Sequence, residues 1–314
     1  MLQMILPLLQ QIVIMFIFSI LGYLMFRTGK MTMEGNKSIA NILVYLSLPA
    51  VIINGFLVER TPEKMQALLI SAAMTALILA IAVIVSALIF PKDQIAKFAA
   101  TFSNPGFFGV SIITAVLGNE FVFYAAAYVA IMNVLQWSYG VSLLKKDGSG
   151  QKKASGQSAG AFIISVLKAP FMIAIYIGLF FFLTGIPAPG IAKKTLGFVA
   201  SMNTPLAMIA IGVYLAQTDL LKMLQKKKLY LITAVRQLII PLLQIFALLL
   251  VPAQFADMRL PLLMVAAAPV GPNIAIYAQL HGSDYAYAVE TIIISTLFSI
   301  LTMPVIIVLA QMIW

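Results

Sequence analysis

Two short segments hold the residues best able to do chemistry. One is Ser103-Asn104-Pro105-Gly106, the other Pro269-Val270-Gly271-Pro272-Asn273. Each lies inside a long apolar run and joins an amide to proline and glycine. Proline removes a backbone donor and clashes with the carbonyl one turn back. Glycine lets the chain leave helical geometry. A helix broken there restarts with unpaired N–H groups and the positive end of its dipole. Such an end binds a carboxylate without a formal positive charge. The side chains of Asn104 and Asn273 add N–H donors. One kink alone is better explained by packing. Two kinks, each flanked by Asn and Gly, favour a binding site built from Asn104, Pro105, Gly106, Gly271, Pro272 and Asn273.

Polar residues at helical spacing extend this set. Asn133, Gln136 and Gly140 follow i, i+3, i+7 spacing and share one face, as do Thr291, Ser295, Ser299 and Thr302. In lipid such stripes line a cavity or bond to a neighbouring helix. Asn133 and Gln136 join the candidate substrate site on the first reading. Two ionisable groups also fall within apolar runs. Glu290 reads either as a proton or cation relay or, more simply, as a carboxylate favoured near a helix N-terminus. Arg236 either attracts an anionic substrate or snorkels to the interface.

These residues need a membrane scaffold. Of 314 residues, 62% are apolar and 10% charged, and mean hydropathy is +1.04. That composition excludes a soluble enzyme, a nucleic-acid-binding domain and a disordered chain. The net charge of +10 is read as loop lysines and arginines. Cysteine is absent and His281 is the single histidine, so neither thiolate nor histidine metal chemistry is expected. No metal-ligand spacing, nucleophile elbow or phosphate loop is present, so no cofactor, no metal and no enzymatic activity are expected.

Ten apolar runs are long enough to span: 5–26, 36–57, 66–90, 96–118, 121–144, 161–184, 195–216, 229–251, 260–280 and 286–312. Nothing shows strand alternation, so the expectation is an all-α polytopic membrane protein of ten transmembrane helices. No basic leader or cleavage site marks the first run as a signal peptide. Loops holding Arg27, Lys30, Lys37, Lys92, Lys97, Lys145, Lys146, Lys152, Lys153, Lys222, Lys226, Lys227 and Lys228 outweigh, thirteen to five, those holding Arg60, Lys64, Lys193, Lys194 and Arg259. Both termini are therefore expected outside the cell and residues 145–160 in the cytoplasm. The segment 145–160, KKDGSGQKKASGQSAG, reads as a flexible linker. It separates a first five-helix repeat, 1–144, from a second, 161–314. An odd number of spans per half makes the two repeats inverted. Proline clusters recur in register: Ser47-Leu48-Pro49-Ala50 in span 2 against Asn203-Thr204-Pro205-Leu206-Ala207 in span 7, and the two segments above in spans 4 and 9. Helix breaks are expected at Pro49, Pro205 and Pro269. Lys168, before Ala169-Pro170, marks an interface after an amphipathic lead-in over 160–167. Lys226-Lys227-Lys228 reads as a headgroup anchor.

The segment Thr101-Phe102-Ser103-Asn104-Pro105-Gly106-Phe107-Phe108-Gly109, with Gly118 after it, resembles the fourth span of the auxin efflux carrier family. That family includes plant auxin transporters and bacterial malate and malonate permeases. Pro269-Val270-Gly271-Pro272-Asn273, with Ala278 and Gly282, resembles its ninth span. Leu48-Pro49-Ala50 and Lys168-Ala169-Pro170 match other typical positions. The resemblance covers nearly the whole chain. It implies a sodium/proton-antiporter-like fold in which disrupted spans 4 and 9 cross at the substrate site. It also implies a scaffold from spans 1, 2, 6 and 7 that forms homodimers, and a transport domain from spans 3–5 and 8–10 that moves as an elevator. Asn104 and Asn273 take the crossover role by motif position. Ser111 departs from the family, which often has proline there, and the linker is shorter than the regulatory loop of many plant members.

The leading expectation is a secondary transporter of small organic anions, mono- or dicarboxylates such as malate, malonate or auxin-like acids, in a cell membrane. Its partners would be the anion, the bilayer and a second copy, with no nucleic acid. An ion channel or a ligand sensor without turnover is one alternative. A sodium-coupled bile-acid-type symporter of related fold is another, with Asn133, Gln136 and Glu290 as scattered oxygen ligands.

Overall fold

A computed structural model describes residues 2–145, 164 and 167–314. Apart from Lys145, the expected linker lies outside the described residues, as does most of the lead-in over 160–167. In chain order the helices are α1 (Leu2–Arg27), α2 (Met33–Phe56), α3 (Pro62–Ile89), α4 (Gln94–Thr101), α5 (Pro105–Val116) and α6 (Asn119–Leu144). They continue with α7 (Pro170–Thr184), α8 (Gly190–Ala216), α9 (Leu220–Leu224), α10 (Lys227–Leu248), α11 (Arg259–Ala267), α12 (Asn273–Leu280) and α13 (Tyr285–Ile313).

Among the described residues, seven helices are long and apolar enough to cross a membrane: α1, α2, α3, α6, α8, α10 and α13. The other three apolar runs take different forms. The run over 96–118 is split into α4 and α5, and the run over 260–280 into α11 and α12. The run over 161–184 is described as the 15-residue α7. No strand occurs among the described residues; an antiparallel bridge joins Ser103 to Val270.

Loop residues fix where helices begin. The hydroxyl of Thr61 accepts from the Lys64 N–H at 3.2 Å, Pro62 opens α3, and Glu63 complements the dipole. Asp93 caps α4 through the Ala96 N–H at 2.9 Å, and Asp284 caps α13 through Tyr287 N–H at 2.9 Å. Contacts between loops define two faces. On the linker face, Lys228 pairs with Asp93, Tyr287 donates to Asp93 at 3.0 Å, and Ser283 donates to the Leu144 carbonyl at 2.8 Å. On the other face, Arg60 donates to the Leu183 carbonyl and Arg259 to that of Val251, both at 2.7 Å.

Pro49 does not end its helix. The preceding turn, Leu43–Ser47, widens so that Leu48 N–H reaches back five residues to Leu43, and α2 runs on through the proline. The wide turn absorbs the clash that proline makes with an ordinary turn. At Pro205 the chain bends at Met202 and resumes helically. Further wide turns lie at Pro105–Gly109, Gln136–Gly140 and Val235–Ile239.

The tightest helix pair is α1 against α8. A Cβ on Gly22 would lie 2.2 Å from the Ile209 carbonyl oxygen, and one on Gly212 would lie 2.0 Å from that of Ser19. Backbone meets backbone there, as small residues allow in membrane helices.

Candidate functional site

The two broken segments meet. Asn104 N–H donates to the Pro269 carbonyl at 2.8 Å, beside the Ser103–Val270 bridge. Gly271 is required by the approach, since a Cβ there would stand 2.8 Å from the Ser103 carbonyl oxygen. Val270 N–H finds the Ser295 hydroxyl at 3.0 Å, and the Ser103 hydroxyl meets Tyr128 at 3.1 Å. Two of the backbone N–H groups at the breaks, those of Asn104 and Val270, are thus satisfied inside the protein. Four helix ends converge at this point: the C-termini of α4 and α11 and the N-termini of α5 and α12.

Asn104 caps α5. Its Oδ1 accepts from Phe107 N–H at 3.2 Å. Its Nδ2 is buried and has no hydrogen-bond partner. Asn273 opens α12 and donates through Nδ2 to Gln136 Oε1 at 2.8 Å. Gln136 has no exposed surface, and its own Nε2 is unpartnered. Asn133 donates to the Val129 carbonyl one turn back at 2.7 Å.

A cavity of about 660 Å³ lies over this meeting point. Asn104, Pro105, Gly106, Asn133, Gly271, Pro272 and Asn273 all line it. Gln136 does not, and instead stands behind Asn273 as its acceptor. Phe107, Trp137, Tyr277 and Tyr45 supply aromatic wall. Glu34, Lys37, Leu280 and Tyr285, at the linker-face ends of their helices, also line it. A second cavity, about 720 Å³, is lined by residues toward the opposite face, among them Ser111, Thr114, Asn119, Glu120 and Lys193. Helix α5 lines both. Between them, Asn203 Nδ2 donates to the Gly106 carbonyl at 2.7 Å, Ser111 and Thr204 hydroxyls touch, and Leu48 packs on Gly106.

The two ionisable candidates lie away from the cavity lining. Glu290 accepts from Lys226 at 2.6 and 2.7 Å, a carboxylate held by a lysine near the linker face. Arg236 is fully buried and does not snorkel. Its guanidinium donates to the carbonyls of Ala100 at 3.0 Å and Thr101 at 2.8 Å, and also to that of Ala266. Among groups in the loops, burial raises Asp93, but the Ala96 N–H, Lys228 and Tyr287 outweigh it and hold the carboxyl below its usual range. Burial, with Lys145 nearby, lowers His281, which therefore stays neutral at pH 7. Among the described residues no group of three or more His, Asp or Glu gathers.

Sequence reasoning missed Tyr128, Trp137, Tyr277 and the contact of Asn203 with Gly106. Asn203 stood out as part of a proline cluster, but nothing local tied it to a residue 97 positions away.

A membrane transport protein family model matches residues 7–307. The chain belongs to this family. It is the family, that of the auxin efflux carriers, whose span-4 and span-9 motifs the sequence resembles. A relative in Rhizobium meliloti (strain 1021), described as a "Putative malonate transporter", is 25% identical over 290 residues, covering 90% of this chain and 89% of its own. The chain is thus a multi-pass membrane transporter rather than an enzyme.

Proposed function

We propose that this transporter is a secondary carrier of small organic anions whose carboxylate docks between Asn104 and Asn273. The observation that carries this reading is Asn104. Its Nδ2 is buried, without a partner, and lies at the start of α5 in the wall of the 660 Å³ cavity. An unpaired buried amide costs about 1–3 kcal/mol, and a carboxylate would remove that cost. The N-termini of α5 and α12 add positive dipole ends, and Asn273 retains a second amide hydrogen beside Gln136. Malonate or malate fits the donor set. An aromatic acid of the auxin type fits the aromatic wall. The name of the Rhizobium relative favours malonate.

In this reading the ten apolar runs form two inverted five-helix repeats, 1–144 and 161–314, with spans 4 and 9 crossing where α4–α5 meets α11–α12. Spans 1, 2, 6 and 7 form a scaffold that pairs with a second copy, and the rest carries the site as an elevator. The linker face is cytoplasmic, both termini are outside, and the cell membrane is the location. The cavities along α5 are consistent with alternating access, because the one with the donors is lined by residues at the linker-face helix ends and the other by residues toward the opposite face.

Counterflow in proteoliposomes tests this, with labelled malonate, malate and indole-3-acetate. Saturable, trans-stimulated exchange of one of them is expected. Asn104→Ala and Asn273→Ala reduce it while leaving expression intact. Normal exchange by the purified double variant would refute the site. Fast, non-saturating flux would instead identify a channel.

A further inference from the structure

Among the described residues Arg236 is the one fully buried cation, and no carboxylate pairs with it. All three of its hydrogen bonds go to main-chain carbonyls in the last turns of α4 and α11. Those are the C-terminal ends of the two half-helices that stop at the crossing. Each helix end carries a partial charge of roughly half a unit, negative at the C-terminus and positive at the N-terminus. Four ends meet here, two of each sign, so the backbone alone sums to about zero. The guanidinium cancels the two negative ends. The N-termini of α5 and α12 are then left with roughly one uncompensated positive unit, facing the cavity. Arg236 lies within the wide turn Val235–Ile239 of α10.

We propose that Arg236 is the positioning charge that sets the valence selectivity of the site, making a neutral crossing net positive and favouring dianions over monoanions. This rests on the carrier reading above. Thr101, whose carbonyl Arg236 holds, is three residues before Asn104, so the charge lies on the order of 10 Å from the donors. At that distance, with an effective dielectric of about 20, one unit of charge on the ligand changes affinity about tenfold or somewhat more.

The experiment compares malonate with its methyl half-ester in counterflow, for wild type, Arg236→Gln, Arg236→Lys and Asn104→Ala. The readout is the ratio of half-saturation constants for the two probes. That ratio does not depend on how much protein inserts correctly. Arg236→Gln is expected to weaken malonate about tenfold more than the half-ester. Arg236→Lys should keep the wild-type ratio, and Asn104→Ala should weaken both probes. An unchanged ratio in Arg236→Gln overturns the proposal while leaving the carrier reading intact. If Arg236→Gln gives no active protein, Arg236→Lys decides. Lysine keeps the charge but lacks the fork that spans three carbonyls. Loss of activity there too would make the residue a structural clamp and overturn the proposal. A wild type that exchanges neither probe, with auxin-type acids also inert, would sink the carrier reading itself.

Discussion

Replacing Asn104 by Asp separates the fold from the site. Asp keeps the oxygen that accepts from Phe107 N–H, and it caps helices as well as Asn does. A negative charge at the first turn of α5 adds about 0.3–1 kcal/mol in favour of the helix. That gain is opposed by the cost of burying an added charge at a position only 3% exposed, so N104D should melt no higher than wild type. The Nδ2 donor, in contrast, becomes a second carboxylate oxygen. Loss of one hydrogen bond to a charged ligand costs about 1.5–3 kcal/mol, or about 10- to 150-fold in affinity. Repulsion between two carboxylates about 4 Å apart adds up to about 4 kcal/mol at an effective dielectric of 20. The expected result is a loss of malonate affinity of at least about tenfold, reaching about a hundred-thousandfold if the full repulsion acts, with the cap on Phe107 kept. Asn104→Ala should differ, losing the cap as well and melting lower by about 1 kcal/mol of stability. Half-saturation in counterflow and thermal unfolding in detergent measure the two effects. If N104D exchanges malonate with wild-type affinity, Asn104 does not touch the substrate and the argument from its unpaired amide fails.

Gly271→Ala forces a Cβ to within 2.8 Å of the Ser103 carbonyl and must spread the two breaks, at a cost of about 1–3 kcal/mol; full activity with an unshifted melting point would contradict the close approach. Gln136→Leu removes the acceptor that orients Asn273 without touching the cavity wall, so half-saturation should rise about fivefold, near 1 kcal/mol, with little change in maximal rate. Asp93→Asn keeps the helix cap and loses the Lys228 pair, lowering stability at pH 7 by up to about 1 kcal/mol. Because the folded Asp93 is held below its ordinary value of 3.8, its contribution is complete above that pH and drains away as the pH falls below it. The wild-type advantage over Asp93→Asn should therefore vanish on titration below pH 3.8, and an advantage that grows in acid would reverse the assignment.

The helical class and the two breaks were legible because apolar length and Pro-Gly-Asn clusters are local signals. The breaks at 102–104 and 268–272 fell where Asn104 and Pro269 indicated. Pro49 misled for a physical reason. Whether proline breaks a helix depends on whether the preceding turn can widen, and the residues of Leu43–Ser47 give no sign of that. Arg236 was visible as a charge in an apolar run. Its three carbonyl partners lie 30 to 136 residues away, so its role required the fold. Gln136 and Asn133 share a face in sequence, yet only Asn133 lines the cavity, while Gln136 is engaged by Asn273.

The glycine notches between α1 and α8 have a mechanical consequence. Each helix's carbonyl fills the other's notch at Gly22 and Gly212. To slide by one turn, about 5.4 Å, both carbonyls would have to climb over side chains. The seam therefore behaves as a keyed joint, and α1 and α8 travel as one piece. The contact of α8 with α5 is of another kind. It rests on Asn203 against the Gly106 carbonyl and Ser111 against Thr204. Side-chain ends can let go and rebind at low cost. The contact with α5 can thus yield where the seam between α1 and α8 cannot.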